Sequence, residues 1–338
     1  MDLQTVWFLL IGVLLTAYAI LDGFDLGVGM ILPFVKGDHD RRILLNSIGP
    51  VWDGNEVWLL VGGGALFAAF PEVYATVFSG FYLPFMLLLV ALIFRAAAIE
   101  FRSKEESPRW RSTWDALFSG ASYLVALLTG VALSNIAVGL PLRADREYGG
   151  GFWNLFHPHS LTLGVTTIAL FMMHGSIYAA LKTEGDLNLQ MRSRAKSALI
   201  FFGVSYGLIT IATFVFAPHL GDAIRTTPVL FILPVITLLA AANIPREMSQ
   251  GSERMAFISS SIVIVGLLGL FGLGIYPNLV PSNPNPELSL TIRNASATPQ
   301  SLETMTYIAI LGVPFVLAYT IAIYRIFGGK VDPKHLHY

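Results

Sequence analysis

Long apolar stretches separated by short polar segments run through almost the whole chain. Nine such stretches are visible, at residues 6–32, 51–70, 73–94, 116–137, 160–181, 198–217, 228–243, 255–276 and 305–327. Most reach the roughly 20 residues that a helix needs to cross the hydrocarbon core of a bilayer. Because lipid cannot pair exposed backbone groups, segments of this kind are expected to be helices. The pattern predicts an all-α polytopic membrane protein in which residues 1–338 form a single membrane-embedded domain.

The number of spans depends on the seventh stretch, which is short and contains Pro234, so that a re-entrant segment is the alternative. With nine spans and an outside N-terminus, most of the 21 Lys and Arg residues fall in inside segments. The basic residues in outside segments are then Arg143, Arg146, Arg225 and Arg293. Omitting the seventh span weakens this asymmetry. The positive-inside rule therefore favours nine transmembrane helices, with the N-terminus outside and the C-terminus cytoplasmic.

The loops between the stretches are short, with one exception on the outer side. The segment from Pro277 to Thr304 is rich in Pro, Asn and Ser, and it is expected to be extended and irregular. The N-terminal sequence MDLQTVWFLL has no basic residue before its apolar run. We therefore expect the first stretch to be a retained span and not a cleaved signal peptide.

Composition excludes several classes of protein. Only 13% of the residues are charged, against about 25% in soluble domains. The net charge of −1 lacks the basic excess that is expected of a nucleic-acid-binding protein. The chain has no cysteine, which excludes disulfides, thiolate metal sites and iron–sulfur clusters within it.

Two pairs of acidic residues interrupt the first two apolar stretches: Asp22 with Asp25, and Asp53 with Glu56. A charge at the centre of a bilayer costs at least roughly 2.5 kcal/mol, and chains of such acids are typical of proton relays. Residues three apart share one face of a helix. If the two helices pack side by side, the acids are ordered from the cytoplasmic edge inward as Asp53, Glu56, Asp25 and Asp22.

Each acid also has a structural interpretation. The four carboxyl groups can act as hydrogen-bonded clamps between helices. Asp53 in particular follows Pro50, which suits a first helical turn, and a carboxylate is stabilised near the positive N-terminus of a helix. Glu56 lies one turn deeper and lacks this explanation.

Other polar and small residues in the apolar stretches have less specific interpretations. Arg95 and Glu100 lie at the inner end of the third stretch, where Arg95 either snorkels as an anchor or neutralises a buried acid or a cofactor propionate. Gly23 and Gly27 have the GxxxG spacing that lets another helix approach closely. His174 has no partner histidine at metal-ligand or haem-ligand spacing, so we expect a hydrogen-bonded bundle residue and no metal site.

At these motifs the chain resembles subunit II of the cytochrome bd-type quinol oxidases. The resemblance is carried by LDGFDLGVGM (21–30), RRILLNSIGPVWDGNEVWL (41–59), GGALFAAFPEVYATVFSGFYLP (63–84), FRAAAIEFRSK (94–104) and RWRSTWD (109–115). It continues through the nine-helix layout, although beyond residue 115 it rests mainly on hydropathy and length. The resemblance implies a respiratory terminal oxidase of the bacterial or archaeal cytoplasmic membrane, which oxidises quinol and reduces O2 to water.

The resemblance also implies which subunit of such a complex has which role. Two b-type haems and one d-type haem, together with the quinol site, belong to the homologous subunit I, and the present chain ligates no haem. Its implied roles are to stabilise subunit I in a heterodimer and to offer a cytoplasmic proton route. Asp25 and Asp53 match the family's motif positions for that route, whereas Glu56 and Asp22 are weaker assignments. Small single-helix subunits and a bound quinone or lipid are further expectations.

Two other classes remain open from the residues alone. Intramembrane acids and a glycine-rich helix also suit a proton- or ion-coupled transporter or channel that acts without haem. A purely structural scaffold subunit is the third class, in which the acids only hold helices together.

Overall fold

The computed structural model describes residues 2–336, and its regular structure is almost entirely helical. Within these residues the α-helices are α1 (Leu3–Ile31), α2 (Asp38–Ile48), α3 (Trp52–Ala69), α4 (Pro71–Gly80), α5 (Tyr82–Phe101), α6 (Pro108–Val138), α7 (Pro158–Lys182), α8 (Gly185–Phe216), α9 (Asp222–Thr226), α10 (Ile232–Gln250), α11 (Glu253–Ile275) and α12 (Pro299–Ile326). Two short strands, β1 (Asn278–Val280) and β2 (Leu290–Thr291), form one antiparallel pair. The short helix α4 and the long helices α6, α7 and α12 carry proline at the start, where its missing N–H leaves no hydrogen bond unmade.

Eight helices within residues 2–336 are long and apolar enough to cross a membrane, namely α1, α5, α6, α7, α8, α10, α11 and α12. The prediction of an all-α polytopic membrane protein is therefore confirmed. The seventh predicted stretch belongs to these eight, because α10 and the 3-10 turn before it together cover Pro228–Gln250. This length exceeds what a re-entrant segment needs.

The second predicted stretch forms helix α3 but is not among the eight. Its 18 residues give a length of about 27 Å, close to the hydrocarbon thickness. Its mean hydropathy is lowered by three polar residues in its first turns, namely Asp53, Asn55 and Glu56. Pro50 does not lie in the first helical turn as predicted, because it precedes Trp52, the first residue of α3, by two positions, whereas Asp53 does lie in the first turn.

The third predicted stretch, 73–94, is wrong in its bounds. The chain forms the short helix α4, breaks at Phe81, and then forms the span α5 up to Phe101. The break lies where Pro84 lacks the N–H that would bond to Gly80 and continue the helical ladder. As a consequence Arg95 lies within α5, about two turns before its end, and not at the end of a helix.

Two loops are more ordered than the sequence indicates: one lies at the end of the bundle that carries the α1–α3 connection, called the inner end, and the other at the opposite end, called the outer end. The inner connection between α1 and α3 contains the amphipathic helix α2, although α1 and α3 still pack side by side. On the outer side, the stretch expected to be irregular contains the β1–β2 pair. Leu290 and Ile292 of this stretch are fully buried and pack in one cluster with Trp7 and Phe70, which closes the outer end of the bundle.

Helix α7 forms the centre of the bundle and packs against α1, α6, α8 and α11. Gly23 and Gly27 both lie at the crossing of α1 with α7. A Cβ atom at Gly27 would collide with the carbonyl oxygen of Phe171 and the backbone of Gly175, and one at Gly23 would lie 2.9 Å from the Phe171 ring. The two helices can therefore pack backbone to backbone at Gly27 because neither carries a side chain there.

Helix α12 lies at the periphery, and Leu302 is its only buried residue in the described chain. Its outer end is held by the Trp7 indole, which donates to the Leu302 carbonyl oxygen at 3.2 Å. At the inner end, Lys182 of α7 donates to the Phe327 carbonyl oxygen and Lys330 donates to that of Thr183, each at 2.7 Å. Two lysines thus cap the inner ends of α7 and α12 reciprocally, as cations favour helix C-termini.

Candidate functional site

Asp22 and Arg95 form a fully buried ion pair between α1 and α5. Both side chains have no exposed surface, and both guanidinium Nη atoms donate to the two carboxylate oxygens, with Nη1 lying 2.7 Å from Oδ2. This two-point geometry is the strongest arrangement of Arg with a carboxylate. The pair satisfies the charge of Asp22 within the protein and connects the two helices.

Glu56 of α3 lies at the edge of this pair. Its Oε2 atom is 4.0 Å from Arg95 Nη2, and its side chain is 21% exposed. The interpretation of Arg95 as an anchor that snorkels to the membrane surface is therefore wrong. The guanidinium points into the bundle because two carboxylates, from α1 and α3, lie there.

Asp25 is the second buried acid of α1, and its surroundings differ from those of Asp22. It is fully buried and has no salt bridge within residues 2–336. The Asn55 side-chain amide of α3 donates to Asp25 Oδ2 at 2.8 Å, and the Tyr324 hydroxyl of α12 donates to Asn55 Oδ1 at 2.7 Å. The other carboxyl oxygen, Oδ1, is buried without a hydrogen-bond partner in the described part of the chain.

The remaining predicted acids are more exposed. Asp53 is exposed and makes no hydrogen bond or salt bridge within residues 2–336, and its charge repels that of Glu56 one turn further along α3. Glu100 is exposed near the end of α5 and likewise forms no salt bridge in the described chain. Its assignment as a charge partner therefore has no geometric support within residues 2–336.

The four acids do not form a ladder of direct contacts in residues 2–336. Asp22 and Glu56 gather around Arg95, Asp25 is bound by Asn55, and Asp53 lies exposed at the start of α3. This division has a chemical consequence. A proton can bind to Asp25 without breaking an ion pair, whereas protonation of Asp22 removes the partner of a buried guanidinium.

His174 and His159 are the buried histidines of residues 2–336, and neither fits a haem ligand. His174 Nδ1 lies 2.7 Å from the Ser260 hydroxyl, and Nε2 donates to the Ile20 carbonyl oxygen at 3.0 Å. His159 is bonded through both ring nitrogens to hydroxyl groups of α6 and α8. With both nitrogens engaged, neither ring has a lone pair free for iron, and the expected role of His174 as a hydrogen-bonded bundle residue agrees with this geometry.

A second ionic cluster, which the sequence did not indicate, joins the inner ends of α5 and α6 to the segment around α2. Asp115 is buried and accepts from Arg41 at 2.9 Å and from Arg102 at 2.5 Å. Arg102 also donates to Asp38 at 2.8 Å, and Arg111 donates to the other oxygen of Asp38 at 2.6 Å. The cluster fixes the inner connection between α1 and α3 and thereby the position of the two acidic helices.

Asn55 and Tyr324 are site residues that the sequence did not predict. Asn55 had a visible signal, because it is an uncharged polar residue between two acids in an otherwise apolar stretch. Tyr324 had none, since 269 residues separate it from Asn55 and nothing in its local sequence distinguishes it from other tyrosines near helix ends.

Comparison with known proteins extends over nearly the whole chain. Residues 3–327 match the family model described as cytochrome bd terminal oxidase subunit II. "Cytochrome bd-I ubiquinol oxidase subunit 2" of Escherichia coli (strain K12) is 36% identical, over 99% of this chain and 96% of that protein. "Cytochrome bd ubiquinol oxidase subunit 2" of Bacillus subtilis (strain 168) is 33% identical, over 98% of each chain.

A solved structure shares the fold. A chain of the bd oxidase from Geobacillus thermodenitrificans superposes with a TM-score of 0.81, over 97% of this chain and 99% of that chain, at 17% sequence identity. Because the sequence identity is low, the structural match shows only that the fold is shared. The family model and the sequence relatives show the family. The chain belongs to the cytochrome bd terminal oxidase subunit II family.

Proposed function

We propose that this chain is the subunit of a membrane quinol oxidase that ligates no haem and carries protons from the cytoplasm toward the site of O2 reduction. The observation that carries the proposal is Asp25, a fully buried carboxyl group with no cationic partner in residues 2–336. Intramembrane acids of this kind serve ion or proton transfer by default. Reduction of O2 to water consumes protons, so a route for them has a destination in such a complex.

In the proposed route the acids have different roles. Asp53, exposed at the start of α3, takes protons from the aqueous side, and Glu56 lies one turn further in. Asp25 is the buried group that holds the proton. Asp22, paired with Arg95, maintains charge balance and does not carry protons.

The partners and cofactors follow from the same proposal. The chain pairs with a homologous subunit I that holds two b-type haems and one d-type haem and oxidises quinol, in a bacterial or archaeal cytoplasmic membrane. The engaged nitrogens of His174 and His159 support the placement of all haems on the partner. Small single-helix subunits and a bound quinone or lipid complete the proposed complex.

Purification of the native complex through a tag on this chain tests the assignment. We expect a larger subunit to co-purify and the reduced-minus-oxidised visible spectrum to contain b- and d-haem bands. A haem-free chain that purifies alone and transports ions in vesicles would instead identify a transporter. A haem-bearing complex in which the acids can all be replaced without effect would identify a structural scaffold.

The proposed topology has nine spans, with α3 crossing the membrane and the N-terminus outside. The absence of cysteine allows single cysteines to be introduced without a background, and Lys36 and Glu72 are exposed before and after α3. We expect Lys36→Cys to react with a membrane-impermeant maleimide only from the cytoplasmic side and Glu72→Cys only from the outside. Reaction of both from the same side would mean that α3 does not cross.

A further inference from the structure

The three hydrogen bonds of Asn55 allow only one orientation of its side-chain amide. Its nitrogen donates to Asp25 Oδ2 at 2.8 Å and to the Leu21 carbonyl oxygen at 3.2 Å, and its oxygen accepts from the Tyr324 hydroxyl at 2.7 Å. In the reversed orientation the amide oxygen would face two acceptors. Asn55 is 2% exposed, so water cannot substitute for a lost partner at low cost.

This orientation distinguishes the two oxygens of Asp25. Because Oδ2 accepts an N–H bond from Asn55, a proton bound there would compete with that hydrogen bond. Oδ1 has no partner in the described chain, and a proton can bind to it while the Asn55 bond stays intact. A carboxamide does not itself pass protons along, so Asn55 orients the acid and takes no part in the transfer.

Tyr324 in turn holds Asn55 from a different helix. It lies in the last turn of the peripheral helix α12, directly before the end that Lys182 caps at Phe327. Its ring also lies edge-on to Phe24, the neighbour of Asp25 on α1, with 6.5 Å between the ring centres. The reciprocal lysine caps therefore fix the position of the hydroxyl group that fixes Asn55.

We propose that Asn55, held by Tyr324 of α12, is a positioning residue that assigns the proton of Asp25 to Oδ1. This inference rests on the proposed proton route through Asp25. During the transfer the incoming proton forms an O–H bond at Asp25 Oδ1, and the same bond breaks when the proton moves on. The Tyr324–Asn55–Asp25 hydrogen bonds are unchanged throughout.

The test uses the complete oxidase complex and the variants Tyr324→Phe and Asn55→Leu. In Tyr324→Phe we expect the infrared bands of the Asp25 carboxyl group, identified as those that Asp25→Asn removes, to shift. Oxygen consumption should fall about two- to tenfold, the rate equivalent of one hydrogen bond, with haem content unchanged. Asn55→Leu should shift the same bands further, and adding Tyr324→Phe to it should have no additional effect.

Tyr319→Phe is the matched control, because Tyr319 lies on the same helix, is 63% exposed and makes no hydrogen bond within residues 2–336. It should leave bands and rate unchanged. Unshifted Asp25 bands in both Tyr324→Phe and Asn55→Leu, or additive losses in the double variant, would overturn the positioning role. An unchanged rate in Asp25→Asn would instead remove the proton route itself, so the two failures are distinguishable.

Discussion

Replacement of Asp25 by Asn is expected to reduce oxygen consumption by the assembled complex by roughly 100-fold, the lower end of the range for a positioned proton-transfer group. Asn has nearly the same size as Asp, and its carboxamide oxygen can still accept the hydrogen bond that Asn55 donates to Asp25 Oδ2. No salt bridge within residues 2–336 is lost, since Asp25 has none. The packing of α1 against α3 should therefore persist while the proton-binding group is removed.

The measurement is oxygen consumption with quinol, together with proton uptake, in complexes whose haem content equals that of the parent. Asp53→Asn should lower the rate as well, by removing the exposed group at which the route begins. Asp186→Asn serves as the control, because Asp186 is an exposed acid in the first turn of α8, away from this site. A parental rate in Asp25→Asn would contradict the relay, and loss of haem in place of rate would assign Asp25 a structural role.

The sequence predicts the membrane character and most spans of this chain because bilayer thickness sets a simple rule of length and apolarity. This rule does not predict the helix bounds correctly where a proline or a group of polar residues interrupts an apolar stretch. Pro84 divides one apolar stretch into α4 and α5, and the polar residues at the start of α3 lower the mean hydropathy of a helix that is still 18 residues long. The predicted irregular outer segment contains a strand pair because apolar residues such as Ile292 find a cluster to pack in.

The sequence predicted the acidic residues of the candidate site but not the residues with which they form ion pairs and hydrogen bonds. Spacing places Asp22 and Asp25 near one face of a helix, but a step of three residues still rotates their side chains by about 60° relative to each other. That rotation directs Asp22 toward Arg95 of α5 and Asp25 toward Asn55 of α3. Which neighbouring helix lies in each direction depends on tertiary packing, about which a local pattern carries no information.

The difference between the two acids of α1 is a difference of charge balance. Burial of a charge is tolerated when it is paired and hydrogen-bonded, and it is costly otherwise. Asp22 has two donors from one guanidinium, whereas Asp25 has one neutral amide. The first arrangement holds a permanent charge, and the second suits a group whose charge changes during turnover.

Replacement of Arg95 by Met is expected to remove most of the assembled complex from the membrane. The change leaves Asp22 buried with no cation and deprives Glu56 of the only cation within 4.0 Å in residues 2–336. Loss of one partner from a buried pair costs about 3–5 kcal/mol, a large part of the 5–15 kcal/mol by which folded proteins are typically stable. The abundance of the complex on native gels and its thermal stability in detergent measure this loss. Arg109→Met should be silent, because Arg109 is exposed and forms no salt bridge in the described chain.

The double variant Asp22→Leu with Arg95→Met distinguishes charge balance from proton transfer. When both partners of a buried pair are replaced by apolar side chains, stability is typically preserved, so the double variant should assemble nearly as well as the parent. Because Asp25 and its bond from Asn55 are untouched, it should also retain most of its oxidase activity. Assembly without activity would instead show that Asp22 carries protons, and a double variant as unstable as Arg95→Met alone would mean that the guanidinium acts through contacts other than this pair. Glu56 loses the same cation in Arg95→Met and in the double variant, so the comparison of these two variants isolates the contribution of Asp22.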